Sequence, residues 1–188
     1  QGRLDMIKGV LDSQLPFEPQ PGRVLDVGCG TGLMMHQFRK WKPIGLDFSE
    51  VALNYCQSRG LQQTLQGDVT KLPIKSNSMD LILALDLIEH VDRHDLLIRE
   101  FHRVLRPGGC AMITVPAHPY LWSDHDRALH HFRRYTMKSF KKLIRHGRLK
   151  PLRLSYGICF LHPIVVAYRL AQNTMLKIQG TSTNHEPK

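Results

Sequence analysis

Apolar residues recur at helical spacing near the start of the chain. Leu4, Ile7, Leu11 and Leu15 are three or four positions apart, which predicts an amphipathic helix over residues 3–14. Pro16 should end it, because proline has no backbone N–H and clashes with the preceding turn. We expect this helix to pack at the rim of the domain that follows.

Short apolar runs then alternate with segments of helical periodicity. The runs that predict strands are residues 23–27, 44–47, 64–66, 81–85 and 111–115. Residues 81–85 are apolar at every position, which is typical of a central parallel strand covered on both faces. Strands alternating with helices predict an open α/β sheet, doubly wound, mostly parallel and Rossmann-like, with helices on both faces.

Capping and stop signals place the helices between these strands. The predicted helices run from the glycines at 28–32 to about Lys40, from an N-cap at Ser49 to Gly60, from Asp92 through Leu105 to a turn at 106–109, and from an N-cap at Thr136 to Gly147. In the second helix, the apolar positions are Val51, Ala52, Tyr55 and Cys56. A sixth strand is expected at 152–156.

Two stretches fall outside this alternation. Residues 116–135 show no periodicity and are rich in aromatic, His and Arg residues, which is typical of a long functional loop. Residues 158–171 are largely apolar but too short to span a bilayer, which takes about 20 residues. They could cover the core, meet a partner or lie in a membrane interface. The expected organisation is a helix and linker (1–20), one main domain (21–157) and an apolar C-terminal helix and tail (158–188).

Composition narrows the class of protein. With 188 residues, 42% of them hydrophobic, one domain can bury a stable core. The four cysteines form no CxxC pair and have no histidine at zinc-ligand spacing, so the sequence predicts no metal site and favours a reducing, cytoplasmic setting. No secretory signal is expected after Gln1.

The positive charge is concentrated in one stretch. Residues 125–153 carry a formal charge of +9, out of +10 for the whole chain. Such a block suits an anionic partner, which could be a phosphorylated substrate, an acidic membrane surface or a nucleic acid. A solvated helix face is the alternative explanation.

The strongest motif is the glycine-rich turn after the first strand, residues 24–32. Glycines allow a positive φ and a close approach to a ligand, and the helix that follows should offer N–H groups to polar ligand atoms. The dinucleotide fingerprint Gly-x-Gly-x-x-Gly is not met, because position 33 is Leu, and this disfavours NAD.

Two carboxylates follow the next two strands. Asp47 ends the second strand, where a carboxylate can accept both ribose hydroxyls, and Phe48 is placed to line an adenine face. Asp68 follows the third strand and is a candidate acceptor for the exocyclic amine of adenine, with residues 72–74 as an apolar floor.

In combination, these motifs resemble the class I S-adenosylmethionine-dependent methyltransferase superfamily, in the small-molecule branch often called type 11. The matching segments are residues 26–32, 45–49, 67–69 with 72–73, 78–82, 87–91 and 105–109. The combination is specific for the cofactor and says little about the acceptor.

The resemblance implies that the chain binds S-adenosyl-L-methionine and releases S-adenosyl-L-homocysteine. The cofactor-binding residues it implies are Asp26, Gly28, Cys29, Gly30, Gly32, Asp47, Phe48, Asp68, Val69, Ala84, Leu85 and Asp86. Among them, Asp26 organises the loop indirectly. His90 either faces the cavity or has a packing role. Nucleic-acid amino-methyltransferases usually carry an Asp-Pro-Pro-aromatic type of stretch after the fourth strand, and residues 85–88 depart from it.

The loop at 120–135 is the candidate acceptor site, because it leaves the fifth strand at the carboxyl edge of the sheet. Its pattern is similar to that of one uncharacterised group in the superfamily. The candidate substrate-binding residues are Tyr120, Trp122, His131, Arg133, Arg134 and Tyr135. The catalytic candidates are His125 paired with Asp126, and His130, any of which could instead be structural.

The function predicted is in-line methyl transfer to a small-molecule or lipid-linked acceptor, in the cytoplasm or at an anionic membrane surface. An RNA methyltransferase that uses the basic block for phosphates is one alternative, and a cofactor-binding scaffold without turnover is another. The sequence predicts neither the acceptor atom nor the oligomeric state.

Overall fold

A computed structural model of the protein describes residues 2–14 and 22–157. The strands are β1 Val24–Val27, β2 Ile44–Asp47, β3 Thr64–Gln66, β4 Met79–Leu85 and β5 Leu105–Thr114. The helices are α1 Gly2–Gln14, α2 Leu33–Gln37, α3 Glu50–Ser58, α4 His94–Val104, α5 Asp124–Ala128 and α6 Met137–His146, with 3₁₀ turns at Arg39–Trp41, Ile88–His90 and Pro119–Leu121.

The five strands form one parallel sheet in the order β3-β2-β1-β4-β5. The order reverses beside β1, because β2 and β3 lie to one side of it and β4 and β5 to the other. In a sheet wound this way, ligands bind beyond the carboxyl ends of the strands at that reversal. The predicted α/β fold is therefore confirmed.

Strand β4 shows that both faces of the sheet are covered. Ile82 and Ala84 belong to an apolar cluster with residues of α4 and α6, whereas Leu81 and Leu83 belong to a second cluster with residues of α1 and α2. Since successive side chains of a strand point to opposite faces, the two clusters lie on opposite sides of the sheet.

Helix α1 belongs to that second cluster, through a pair of buried residues. Ile7 and Leu11 are 2% and 3% exposed and share the cluster with residues of β4. The sequence predicts packing at the rim of the domain. In the structure the helix covers a face of the sheet instead.

Two helices, α3 and α6, begin at the predicted N-caps, whereas α4 does not. Ser49 accepts from Ala52 N and Thr136 accepts from Ser139 N, which confirms both predicted N-caps. The helix expected from Asp92 begins instead at His94, with Arg93 at the cap position, and it ends before Leu105, which is the first residue of β5.

The turn expected at 106–109 is a bulge within β5. Met79 of β4 pairs with Leu105, but Leu81, two residues on, pairs with Cys110, so the four residues between are looped out of register. Gly108 has φ +82°, which lets the chain reverse there and then rejoin the sheet.

Other sequence predictions fail or cannot be tested. Residues 152–156 form no strand. In α3, Cys56 is buried as predicted, but Val51 and Tyr55 are exposed and Leu53 is the second buried residue. The linker predicted at the end of residues 1–20 and the apolar segment predicted at 158–171 lie outside the described residues. Within the described ranges, every helix is too short or too polar to cross a membrane.

Candidate functional site

The glycine-rich loop between β1 and α2 has positive φ at each glycine, but the glycines are needed for different reasons. A Cβ on Gly28 would lie 2.7 Å from Leu87 Cδ1, and one on Gly32 would lie 2.5 Å from Leu61 Cδ1, so these two positions are constrained by packing. Gly30 has φ +51°, and a Cβ there would meet no atom of the described protein within 4 Å. Gly30 therefore borders the open space in which a ligand would lie.

Three peptide N–H groups of this loop are bonded to β2. Gly28 N and Cys29 N donate to Leu46 O at 2.8 and 3.0 Å, and Gly30 N donates to Asp47 Oδ2 at 2.8 Å. Gly32 N donates to Cys29 O. The free N–H groups predicted from the sequence are those at the start of the helix that follows. Because the loop amides are bonded to the neighbouring strand, the loop has its shape before a ligand binds.

Asp47 joins the loop to the start of α3. Its side chain is buried, Oδ2 accepts from Gly30 N, and Oδ1 accepts from Ser49 N at 2.9 Å. A carboxylate oxygen has two lone pairs, so each oxygen keeps one for a further donor. Beside it, the side chain of Phe48 is 80% exposed. This buried acid next to an exposed ring is the arrangement predicted for a ribose and an adenine.

Asp26, on β1 under the loop, is the most perturbed carboxyl of this region. It is 3% exposed, and Oδ2 has no hydrogen-bond partner among the described residues. Burial and, secondly, repulsion by Asp47 raise the pKa of Asp26 to about 7. A cationic group bound at this loop would favour the ionised form.

Beyond β3, Asp68 is exposed and held in a tight turn. Its Oδ1 accepts from Thr70 N at 2.7 Å and Thr70 Oγ1 at 2.8 Å, and these bonds lower the pKa of the carboxyl. Oδ2 accepts no hydrogen bond from the described residues. Val69 packs half-buried against the core. Asp68 is thus ionised at neutral pH, with one oxygen able to accept from an amine.

The end of β4 closes the other side of the loop. Ala84 is fully buried, Leu85 is half-buried, and Asp86 has φ +51°. The turn at Asp86 is fixed by Thr114 of β5, whose Oγ1 donates to Asp86 Oδ1 at 3.0 Å. After this turn, Leu87 packs on Gly28.

The segment 116–135, predicted as an open loop, is folded around one buried acid. It contains α5, and its ends meet in a parallel bridge between Ala117 and Tyr135. Asp126 has no exposed surface. It accepts from Ser123 N and Oγ, from His131 Nδ1 at 3.0 Å, and from Arg134 Nε and Nη2 at 2.7 and 2.9 Å. Burial opposes its ionisation, but these bonds outweigh burial and lower the pKa of Asp126.

This network corrects the pairing that the sequence led us to expect. Asp126 pairs with His131 and Arg134, and not with His125, whose side chain is exposed on α5. A buried carboxylate that accepts from three residues has no capacity left to take a proton from an acceptor. Asp126 is therefore a structural acid here, while His125 and His130 are both exposed.

Three of the predicted substrate-binding residues are also committed to the fold. Arg134 binds Asp126 in a forked arrangement, and Arg133 Nη1 donates to Val91 O at 2.8 Å. Tyr135 is 4% exposed, and its hydroxyl lies 2.8 Å from His94 Nδ1. Burial raises the pKa of this hydroxyl to about 12. In this conformation, each of the three already uses at least one polar group in a bond within the protein.

The aromatic candidates at the start of the segment differ in exposure. Tyr120 is 62% exposed and Trp122 is half-buried. Tyr120 lies beside His118, which stacks on Tyr156 with ring centroids 4.7 Å apart. These side chains remain candidates for contact with an acceptor.

Sequence reasoning missed a cluster formed by Glu89, His90 and His131. Each offers one ligand-type atom, and the three atoms lie within 4.8 Å of one another. The histidine rings are edge to face with centroids 4.6 Å apart. The adjacent Glu89 and His90 were a signal in the sequence, but His131 is too far along the chain to be assigned to them by spacing.

Comparison with known proteins finds similarity to methyltransferases. A family model described as a methyltransferase domain matches residues 25–113. The chain is 35% identical over 115 residues to the fatty-acid O-methyltransferase of Mycolicibacterium smegmatis. This match covers 57% of this chain and 42% of that enzyme. The chain therefore spans less than half of that relative's length.

Two further matches cover most of the chain. The malonyl-[acyl-carrier protein] O-methyltransferase of Pseudescherichia vulneris is 27% identical over 180 residues, which is 89% of this chain and 67% of that enzyme. The crystal structure of the YcgJ protein from Bacillus subtilis has a TM-score of 0.65 at 21% identity, covering 89% of this chain and 81% of that one. At that identity the last match supports the fold alone.

Proposed function

The chain belongs to the class I S-adenosylmethionine-dependent methyltransferase superfamily through the domain matched over residues 25–113, and we propose that it transfers the methyl group of S-adenosylmethionine to a small-molecule or lipid-linked acceptor. The observation that carries the proposal is the buried carboxylate of Asp47, which is tied to the amide of Gly30 and lies beside the exposed ring of Phe48.

The residues present fit this cofactor. The space over Gly30 is open, and the buried Oδ2 of Asp26 lacks a partner among the described residues. Asp47 would hold the ribose hydroxyls, Phe48 would cover one face of the adenine, and Asp68 would accept from its amine. A ligand with a diol, an aromatic base and an ammonium group matches each of these chemistries.

When bound, S-adenosylmethionine supplies an electrophilic methyl group on a sulfonium. The chain's own contribution is alignment, which can supply several kcal/mol by holding reacting atoms in line. The loop at 28–32 is suited to this because its amides are already bonded to β2 and its glycines are packed by Leu87 and Leu61. Little of the binding energy is then spent on ordering the loop.

A hydroxyl acceptor would need a base, whereas a carboxylate would not. The exposed imidazoles of His125 and His130 are available for that role, because neither ring hydrogen-bonds to another described side chain. Asp126 is excluded from it by its buried network. A carboxylate acceptor would agree with the name of the fatty-acid relative, and it needs only positioning.

The case for an anionic acceptor rests on α6 and the residues after it. Within residues 125–153, the arginines at 127, 133 and 134 are paired with acids, but the remaining basic side chains form no ion pair with the described residues. Several of them surround a shallow concavity lined by Lys141, Arg145, Arg148, Leu149, Lys150 and Pro151. This surface suits a carboxylate or phosphate headgroup.

The test is a methyl-transfer assay with S-adenosylmethionine and three acceptor pools: a long-chain fatty acid, anionic phospholipid vesicles and a mixed short RNA pool. We expect S-adenosylhomocysteine to form with a fatty acid or lipid. Replacing Lys141, Arg145 and Arg148 together by Ala should lower that rate, whereas Lys40→Ala, which removes an exposed lysine elsewhere, should not.

Two outcomes would replace the proposal. Turnover on RNA alone, with binding that weakens steeply as salt rises, would favour the RNA methyltransferase. Binding of S-adenosylhomocysteine without turnover on any pool would favour a scaffold.

A further inference from the structure

We propose that Glu89, His90 and His131 bind one divalent transition-metal ion at the carboxyl edge of the sheet. The three residues present ligand-type atoms within 4.8 Å of one another, so small side-chain movements would bring them to bonding distance of one ion. Glu89 and His90 occupy the 3₁₀ turn Ile88–His90 directly after β4, and His131 comes from the folded segment after β5. The metal would therefore join two parts of the chain.

His131 is already oriented as a metal ligand. Its Nδ1 lies 3.0 Å from Asp126 Oδ1, and because an ionised carboxylate can only accept, Nδ1 must carry the proton. The lone pair is then on Nε2, the nitrogen left for a metal. Metal-binding histidines commonly give their other N–H to a carboxylate, which fixes the ring and raises its basicity.

The position of Asp126 explains why that orientation is rigid. The acid is wholly buried, and the forked bonds from Arg134 hold both of its oxygens. The side chain of His131 is 9% exposed. A buried carboxylate, itself fixed by Arg134, therefore holds the His131 ring in one orientation. This favours a binding role for the ring over a packing role.

The other two ligands complete a compact set. The His90 ring packs edge to face against His131 and interacts with the backbone at Leu129. Glu89 is 1% exposed, and its backbone O accepts from Phe132 N at 2.8 Å, which ties the turn to the residue after His131. Both elements that supply ligands are thus fixed to each other before any ion binds.

The donor set indicates the class of ion. Two imidazoles and one carboxylate suit Zn²⁺, Mn²⁺ or Fe²⁺, whereas Mg²⁺ prefers oxygen donors alone. Three protein ligands leave positions for water or for an acceptor oxygen. A role in holding the acceptor rests on the proposed function, but the metal binding does not.

The test is calorimetric titration of the untagged full chain, stripped with chelator, with ZnCl₂, MnCl₂ and MgCl₂ in turn. We expect one Zn²⁺ or Mn²⁺ per chain and weaker Mg²⁺ binding. His90→Ala should lower the affinity by about tenfold or more, the loss typical of disturbing such a site. His90 is exposed, so this variant should fold, and His102→Ala, an exposed histidine on α4, is the matched control.

A second variant tests the orienting role of Asp126. Asp126→Asn should weaken the metal affinity less than His131→Ala, and both should be checked for folding by circular dichroism. The proposal is overturned if no stoichiometric ion binds, if Mg²⁺ binds as tightly as Zn²⁺, or if His90→Ala binds like the unmodified chain. Titration of the same preparations with S-adenosylhomocysteine tests the proposed function separately.

Discussion

The open region, which is the loop beside β1 and β2, differs from the closed region, which is the segment 116–135. The two regions differ in how their polar groups are bonded. Around Gly30 the space is open, the ring of Phe48 is 80% exposed, and each carboxylate oxygen of Asp47 keeps one lone pair. Around Asp126, by contrast, the side chains of Ser123, His131 and Arg134 all bond to the buried carboxylate. The first region offers groups to a ligand, whereas the second is held together by a buried hydrogen-bond network. Residues of similar type thus form different kinds of bonds in the two regions.

The largest effect should come from breaking the closed region. Asp126→Ala should destabilise the protein by about 3–5 kcal/mol, because it leaves the guanidinium of Arg134 largely buried without its partner. Urea unfolding monitored by fluorescence measures it.

The matched control is Asp124→Ala, which removes the exposed partner of Arg127 and should cost at most about 1 kcal/mol. Equal losses for the two variants would contradict the contrast between the regions.

Replacing Asp26 should have the second-largest effect on stability, and that effect should depend on pH. Burial raises the pKa of Asp26 in the folded state to about 7, well above that of an exposed aspartate, so the folded state loses stability as pH rises between the two values. Asp26→Asn removes the titration. About two pH units of this range lie between pH 5 and the folded pKa, so the stability gained by the variant should be about 3 kcal/mol larger at pH 8 than at pH 5.

Unfolding of both proteins in urea at the two pH values checks this, without cofactor present. A gain that does not change with pH would show that Asp26 keeps an ordinary pKa.

Asp47 tests the open region itself. Asp47→Asn keeps the shape but removes the charge, and it should weaken binding of S-adenosylhomocysteine by about 1–2 kcal/mol. Calorimetry measures the affinity, and Glu50→Ala, which removes an exposed acid at the start of α3, is the control. Unchanged affinity in the Asp47 variant would remove this carboxylate from the site.

Phe48 should give the smallest change. Phe48→Ala should lower the affinity for S-adenosylhomocysteine by about 1 kcal/mol through lost stacking, with little change in stability because the ring is 80% exposed. Tyr55→Ala, an exposed aromatic on the next helix, should change neither property. A loss of stability without a loss of affinity would identify Phe48 as a packing residue.

The open region was the more predictable from sequence. Strand β2, the cap at Ser49 and the acids at positions 47 and 68 lie in short local motifs whose spacing fixes their place in the sheet. The bonding of the loop amides to Leu46 was not predictable, because it depends on how far β2 extends beside β1.

The closed region was predicted poorly, for a physical reason. Its partners are five to eight positions apart on irregular backbone, and no periodicity records which histidine faces Asp126. In the structure the buried Asp126 pairs with His131 and Arg134, whereas His125, its neighbour in sequence, is exposed. The bulge in β5 was hidden similarly, because residues 106–109 have the composition of an ordinary turn.

The central claim is that the open edge above β1 and β2 holds an adenosyl amino acid. A crystal structure of the full chain grown with S-adenosylhomocysteine tests it most directly. We predict the ribose hydroxyls on the carboxylate of Asp47, the adenine between Phe48 and Asp68, and the amino acid portion over Gly30. A folded protein that binds the molecule elsewhere, or leaves this edge empty at saturating concentration, would contradict the account.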